Sequence, residues 1–144
     1  MSAIAVPAIA EALTDVDRSA CLALRIGVFC GEQGVTRAEE IDGLDAAARH
    51  LIARVDGMPA GTLRLRLDGE TAKIERVCVA RAHRGTGVGA ALVRAGLRLA
   101  SDGGATEARL GAQTSALGFY ERLGFTAHGA EYLDARIAHR DMIR

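Results

Sequence analysis

The sequence predicts a single α+β domain on one mixed, mostly antiparallel sheet flanked by helices. Three observations lead there. The centre of the chain holds three strand-like runs, His50–Asp56, Pro59–Leu67 and Glu70–Val79, parted by Asp56-Gly57 and Asp68-Gly69. Asp-Gly between such runs is a strong hairpin signal, because the tightest turns need positive φ at their centre. Segments of helical period stand on both sides of this meander. Finally, 144 residues give room for one domain, 1–144, whose core can manage without disulfides or metal.

The elements follow in order. Ile4–Glu11 is apolar enough for an opening strand, and Pro7 suits an edge position. Thr14-Asp15-Val16-Asp17 resembles a helix N-cap, after which Val16, Ala20, Ala23, Leu24 and Ile26 recur at helical spacing through about Phe29. Gly31 to Asp45 is polar and glycine-bearing, with a short helix around Arg37–Glu40. In the meander, Leu63, Leu65 and Leu67 alternate with Arg64 and Arg66, as in a strand with one wet face. A second long helix runs from about Gly87 to Ala100, with Val88, Leu92, Ala95 and Leu99 on its apolar stripe. Ser101-Asp102-Gly103-Gly104 stops it. Arg109–Ala112 reads as a short strand and Ser115–Leu123 as a short helix with Gly124 at C′. Strands at Thr126–Tyr132 and Ile137–Ile143 close the order β-α-βββ-α-β-α-ββ.

Composition removes several function classes. Lys+Arg and Asp+Glu both number 18, so no global field draws the chain to nucleic acid or an anionic membrane. Cys21, Cys30 and Cys78 form no C-x-x-C pair and read as reduced thiols of a cytoplasmic protein. The N-terminus has no basic leader region, and its apolar stretch Ala3–Ala10 is broken by Pro7 and too short to span a bilayer. No His/Cys/Asp cluster has metal-binding spacing, so no metal is expected.

The chemistry concentrates at Arg84-Gly85-Thr86-Gly87-Val88-Gly89. A strand, an arginine-bearing turn, glycines and a helix start form an anion site: backbone N–H groups approach the anion and the helix end adds positive potential. A Walker loop fails, because Gly89 is followed by Ala90-Ala91 rather than Lys-Ser/Thr. Gly85-x-Gly87-x-x-Ala90 fits the dinucleotide fingerprint in form, but that fingerprint belongs in a parallel β-α-β unit and not after an antiparallel meander.

The remaining pattern, R/Q-x-x-G-x-G/A, is met by Arg84, Gly87 and Gly89. Here the chain resembles the GNAT superfamily of N-acetyltransferases, and Phe119-Tyr120-Glu121-Arg122-Leu123-Gly124-Phe125 supplies a second motif at the expected distance. Arg25-x-x-Val28-Phe29-x-x-Glu32-Gln33, Glu40-x-Asp42, the Lys73–Val79 strand and the Tyr132–Met142 tail resemble its ElaA/YjcF-like branch.

The resemblance implies a splayed central strand pair that binds acyl-CoA. Val77, Cys78 and Val79 would line the pantetheine arm, Arg84 to Ala90 (Gly85, Thr86, Gly87, Val88, Gly89) would hold the pyrophosphate, and Gln113 would bond the pantetheine or help order the site. Tyr120 matches the superfamily's general acid, the alternative being a core aromatic. Glu75 is the first candidate base, placed by period-two alternation on the face of Val77 and Val79, with a salt bridge to Arg76 or Lys73 as its rival role. Glu32 is the second candidate base. Arg25, Glu32 and Gln33 are candidate acceptor-binding residues, or else a network pinning their loop. His50 and His139 stand in second rank.

The expected activity is acetyl transfer from acetyl-CoA to an unidentified amine by direct attack, in a chain that can form a homodimer. A non-catalytic acyl-CoA sensor and an acyl-homoserine lactone synthase-like enzyme are the rival readings.

Overall fold

The structure is a computed structural model that describes residues 6–144, so Ile4 and Ala5 of the expected first strand lie outside the described residues. The strand itself, β1, is Ala8–Glu11. Helix α1 (Asp15–Arg25) starts where the cap predicts, with Thr14 Oγ1 accepting from the Asp17 amide at 3.1 Å. From Ile26 to Glu32 the helix widens to π geometry, and the Gln33 amide reaches back to the Val28 carbonyl at 3.1 Å. Two glycines and two β-branched residues in Ile26-Gly27-Val28-Phe29-Cys30-Gly31-Glu32 leave little preference for the tighter α spiral. The short α2 (Arg37–Glu40) carries a capping box between Thr36 and Glu39.

The meander comprises β2 (Arg49–Val55), β3 (Met58–Asp68) and β4 (Thr71–Val79). Its first turn has positive φ at both Asp56 and Gly57, as the Asp-Gly signal requires. Then come α3 (Val88–Asp102), β5 (Glu107–Gln113), α4 (Leu117–Glu121), β6 (Thr126–Asp134) and β7 (Ile137–Ile143). The strands form one seven-stranded sheet in the order β1-β2-β3-β4-β5-β7-β6. Among the described residues only β4 and β5 run parallel.

That parallel pair is short. It joins Thr71 to Glu107, Ala72 to Ala108 and Lys73 to Arg109, and then the strands part. The cause lies in β4. Its register against β3 shifts between Thr62↔Cys78 and Arg64↔Glu75, and Arg76 sits at φ 54°. An extra residue in one strand bends it and increases its twist, which turns the end of β4 away from β5.

The bulge also reverses which side chains face which layer. Val77 and Val79 pack with Leu63, Leu65 and Leu92 in the main core under α3. Glu75 stands opposite Arg64 and Cys78 opposite Thr62, on the face covered by α1. Simple alternation, which put Glu75 on the side of Val77 and Val79, is therefore wrong by one residue.

Beneath α1, β3 does not present the wet face that its arginines suggested. Arg64 is 1% exposed and donates to Asp42, Asp45 and Glu75. Arg25 is equally buried and pairs with Glu40 and Asp45, both at 2.8 Å. Arg76 adds a second bond to Glu40, and Arg66 one to Glu75. Arg25 is thereby corrected from a candidate acceptor-binding residue to a structural one, since its guanidinium is enclosed by its own partners.

The Arg64 hydrogen bonds hold the Asp42 carboxyl far below the ordinary carboxylate range. Burial pushes Asp45 and Glu75 upward, but the guanidinium bonds outweigh it and both end lowered. Lowered carboxyls stabilise the fold fully above their unfolded pKa and lose that contribution as pH falls through the folded value. Melting temperature should therefore hold above about pH 5 and drop steeply below about pH 4, and a flat thermal profile across that range would contradict the network's role. Arg64→Ala, which takes one guanidinium from three carboxylates that each keep another arginine partner, should cost about 3 kcal/mol in denaturant unfolding.

Candidate active site

Where β4 and β5 separate, they open a cavity of about 530 Å³ whose walls include Phe29, Gln33, Val77, Gln113, Tyr120 and His139. Beyond Lys73 the β5-facing edge of β4 has no ladder partner, so backbone donors and acceptors stand free along the cleft.

The glycine loop closes one end of β4. A short turn at Arg81–His83 leads to Gly85 at φ 74° and Gly87 at φ 89°, and Gly87 caps α3 without any side-chain hydrogen bond. Among the described residues, the amides from Gly85 to Ala90 donate to no backbone carbonyl. Converging free amides at the start of a fifteen-residue helix form a cradle for an anion. A side chain at Gly87 would meet open space, so the glycine serves the backbone turn and not the packing.

Arg84 does not point freely toward that cradle. Its Nε donates to the Val79 carbonyl at 3.0 Å and its Nη2 to Glu32 at 2.7 Å. It ties the loop to the end of β4 and to the π turn after α1. Glu32 is thus a partner of Arg84, with Arg81 at 3.8 Å. The neighbouring Gln33 crosses the cleft, where its Oε1 accepts from Gln113 Nε2 at 2.8 Å. The structure therefore brings Glu32 and Gln33 to the site and leaves Arg25 behind.

Tyr120 is held by edge-on contacts with Phe119 and Phe125, at centroid distances of 4.9 and 5.8 Å. Its hydroxyl has no hydrogen-bond partner among the described residues, yet it is not a buried orphan, because the residue lines the cavity. Burial raises its pKa, so the phenol keeps its proton at neutral pH. A protonated hydroxyl facing an open cleft can deliver a proton.

Glu75 is poorly suited to take one. Its carboxylate accepts from both Arg64 and Arg66, and with a lowered pKa it holds no proton at neutral pH and is a weak acceptor of another. The alternative role weighed from sequence, a salt-bridge anchor, fits these contacts, but the partners are Arg64 and Arg66 rather than Arg76. Lys73 stands further off at 3.6 Å. The Cys78 thiol faces the α1 side, and burial pushes it up to about 12, so that residue offers the cleft its backbone only.

Sequence reasoning missed the tip of the β6–β7 hairpin. Ala135 and Arg136 both adopt positive φ, 47° and 67°, without the glycine or asparagine that signals such a turn. Arg136 donates to both oxygens of Glu39 and to the Gly34 carbonyl, fastening the hairpin to α2 across the far end of the cavity. A carboxylate already constrained by the Thr36 capping box is its anchor, and no local signal in Ala135-Arg136 foretells this.

Comparison with known proteins agrees with this geometry. The family model for the acetyltransferase (GNAT) domain matches residues 28–144. YjcF of Bacillus subtilis, described as an uncharacterized N-acetyltransferase, is 38% identical over 122 residues, covering 84% of this chain and 87% of its own. An acyl-CoA N-acyltransferase from Pseudomonas aeruginosa superposes with a TM-score of 0.84 at 33% identity, over 96% of this chain and 99% of that one. Escherichia coli ElaA gives a TM-score of 0.85 at 28% identity, over 96% and 99%. With the parted β4–β5 pair, the free-amide loop and Tyr120 all in place, the chain belongs to the GNAT acetyltransferase family, in the branch that holds YjcF and ElaA.

Proposed function

We propose that the protein transfers an acetyl group from acetyl-CoA to an amine by direct attack. One observation carries this reading: beyond Lys73 β4 parts from β5 and leads into a loop whose amides, among the described residues, donate to no backbone carbonyl, while the cavity beside Val77 is lined by Tyr120, whose hydroxyl has no hydrogen-bond partner among those residues. The amides of Gly85 to Ala90 fit the pyrophosphate. The free edge of β4 at Val77 and Val79 fits the amide-bearing pantetheine arm, although the Val79 carbonyl is already taken by Arg84. When bound, acetyl-CoA supplies an activated acyl carbon.

The chain's own residues do the rest. In this reading a backbone N–H of the bulged stretch near Val77 stabilises negative charge on an acyl oxygen. Tyr120 gives its proton to the leaving sulfur, an approach that depends on position, since a phenol is only a modest acid. Arg84 acts on the anion indirectly, by fixing the loop to Val79 and Glu32. The Gln33–Gln113 bond holds the acceptor-side wall against β5.

The test is calorimetric binding of acetyl-CoA, followed by CoA release over a panel comprising a polyamine, an amino sugar, an arylalkylamine and a lysine-bearing peptide. Gly87→Ala puts a Cβ into a left-handed position at a strain of about 1–2 kcal/mol. It should weaken acetyl-CoA binding about tenfold or more through lost amide convergence, and unchanged affinity would remove the loop from the donor site. Tyr120→Phe should lower kcat by about a hundredfold with little change in acetyl-CoA affinity. Tight binding without turnover on any amine would favour a sensor instead.

A further inference from the structure

With Glu75 committed to arginines, the cleft still needs a group to take the proton of the attacking nitrogen. We propose that His139 is that general base, an inference that rests on the acyl-transfer reading above.

His139 lies on β7 directly opposite Gln113 of β5 and Tyr132 of β6. Direct cross-strand partners share a face of the sheet, and all three line the cavity with Tyr120 and Val77. The imidazole Nδ1 is 2.7 Å from the Ile137 carbonyl. A carbonyl oxygen can only accept, so Nδ1 carries the hydrogen and the neutral ring leaves Nε2 with a free lone pair. Among the described residues Nε2 has no hydrogen-bond partner.

The ring is also positioned. Tyr132 stacks on it at 5.8 Å with an interplanar angle of 21°, and the Tyr132 hydroxyl donates to Asp141 at 2.7 Å. Gly111 makes this arrangement possible, since a Cβ there would strike the Tyr132 oxygen. His50 gives the internal contrast. It is 3% exposed and its Nε2 is engaged by the Asp45 carbonyl at 2.9 Å, which suits a structural histidine. His139 is half-buried, oriented through one nitrogen, and open at the other.

The step balances. A C–N bond forms as the thioester C–S bond breaks. The nitrogen's proton passes to His139 Nε2 and then to water, while the leaving sulfur takes the Tyr120 proton, which water restores.

Two experiments test the assignment. In 15N-labelled protein, long-range correlation spectra should show the His139 Nδ1–H tautomer for the neutral ring, and an Nε2–H tautomer overturns the proposal whatever the acceptor. With the panel amine that wild type turns over fastest, His139→Ala should lose about a hundredfold in kcat and regain about tenfold with added imidazole. His139→Gln should show the same loss without rescue, and acetyl-CoA affinity should stay within about twofold in both, because neither change touches the donor loop. Undiminished kcat, or a loss that imidazole does not restore in a folded His139→Ala protein, overturns the base while leaving acyl transfer intact. If wild type binds acetyl-CoA but acetylates no amine, the acyl-transfer reading itself fails and this assignment with it.

Discussion

Two guanidinium groups lie under α1 with almost no contact with water, and the segment from α2 to β2 is built around the need to compensate them. A buried charge is tolerable only when its hydrogen bonds are filled. Arg25 and Arg64 therefore draw Glu40 of α2 and Asp42 and Asp45 of the α2–β2 connection inward and fix Glu75 from β4. Such a cluster adds less stability than an apolar core of equal volume would. Its effect is to hold an irregular segment in a single position against the sheet. Arg76 joins the same cluster from the bulge, so the residue that distorts β4 is itself anchored by the loop.

The bulge then decides the chemistry available. It bends β4 from β5, and it rotates the strand so that Val77 and Val79 continue the α3-side core while Glu75 turns to the arginines. A carboxylate in that position becomes part of the scaffold, and the two groups proposed above to move protons lie on the other side of the cleft. Tyr120 stands on α4 and His139 on β7.

Much of this was legible in the sequence, for identifiable reasons. The Asp56-Gly57 turn, the Thr14 cap, the apolar stripe of α3 and Gly124 at φ 94° are local signals, and the elements lie within a few residues of where those signals put them. The glycine loop was equally legible, because close backbone approach leaves a compositional mark. What failed was whatever depends on a non-local partner. Arg64 looks like a solvent-facing arginine until Asp42 and Asp45 close over it. Arg25 looks like a substrate ligand for the same reason. The bulge at Arg76 has no glycine to announce it, so period-two counting carried Glu75 to the wrong face. The hairpin tip at Ala135-Arg136 has no favourable local sequence either, and is explained only by Glu39 some hundred residues away in the chain.

The brief pairing of β4 with β5 has a mechanical consequence. Backbone ladders bind β1 to β4 into one slab and β5 to β7 into another, but between the slabs the ladder spans only residues 71–73 and 107–109. Further along, the slabs are bridged by side chains: Gln33 to Gln113 at one point and Glu39 to Arg136 at another. Side-chain bonds between exposed groups break and re-form far more readily than a continuous ladder. The two slabs thus share one apolar core but only a short backbone seam, and past that seam the hydrogen bonds that cross the gap come from two polar latches and not from the sheet.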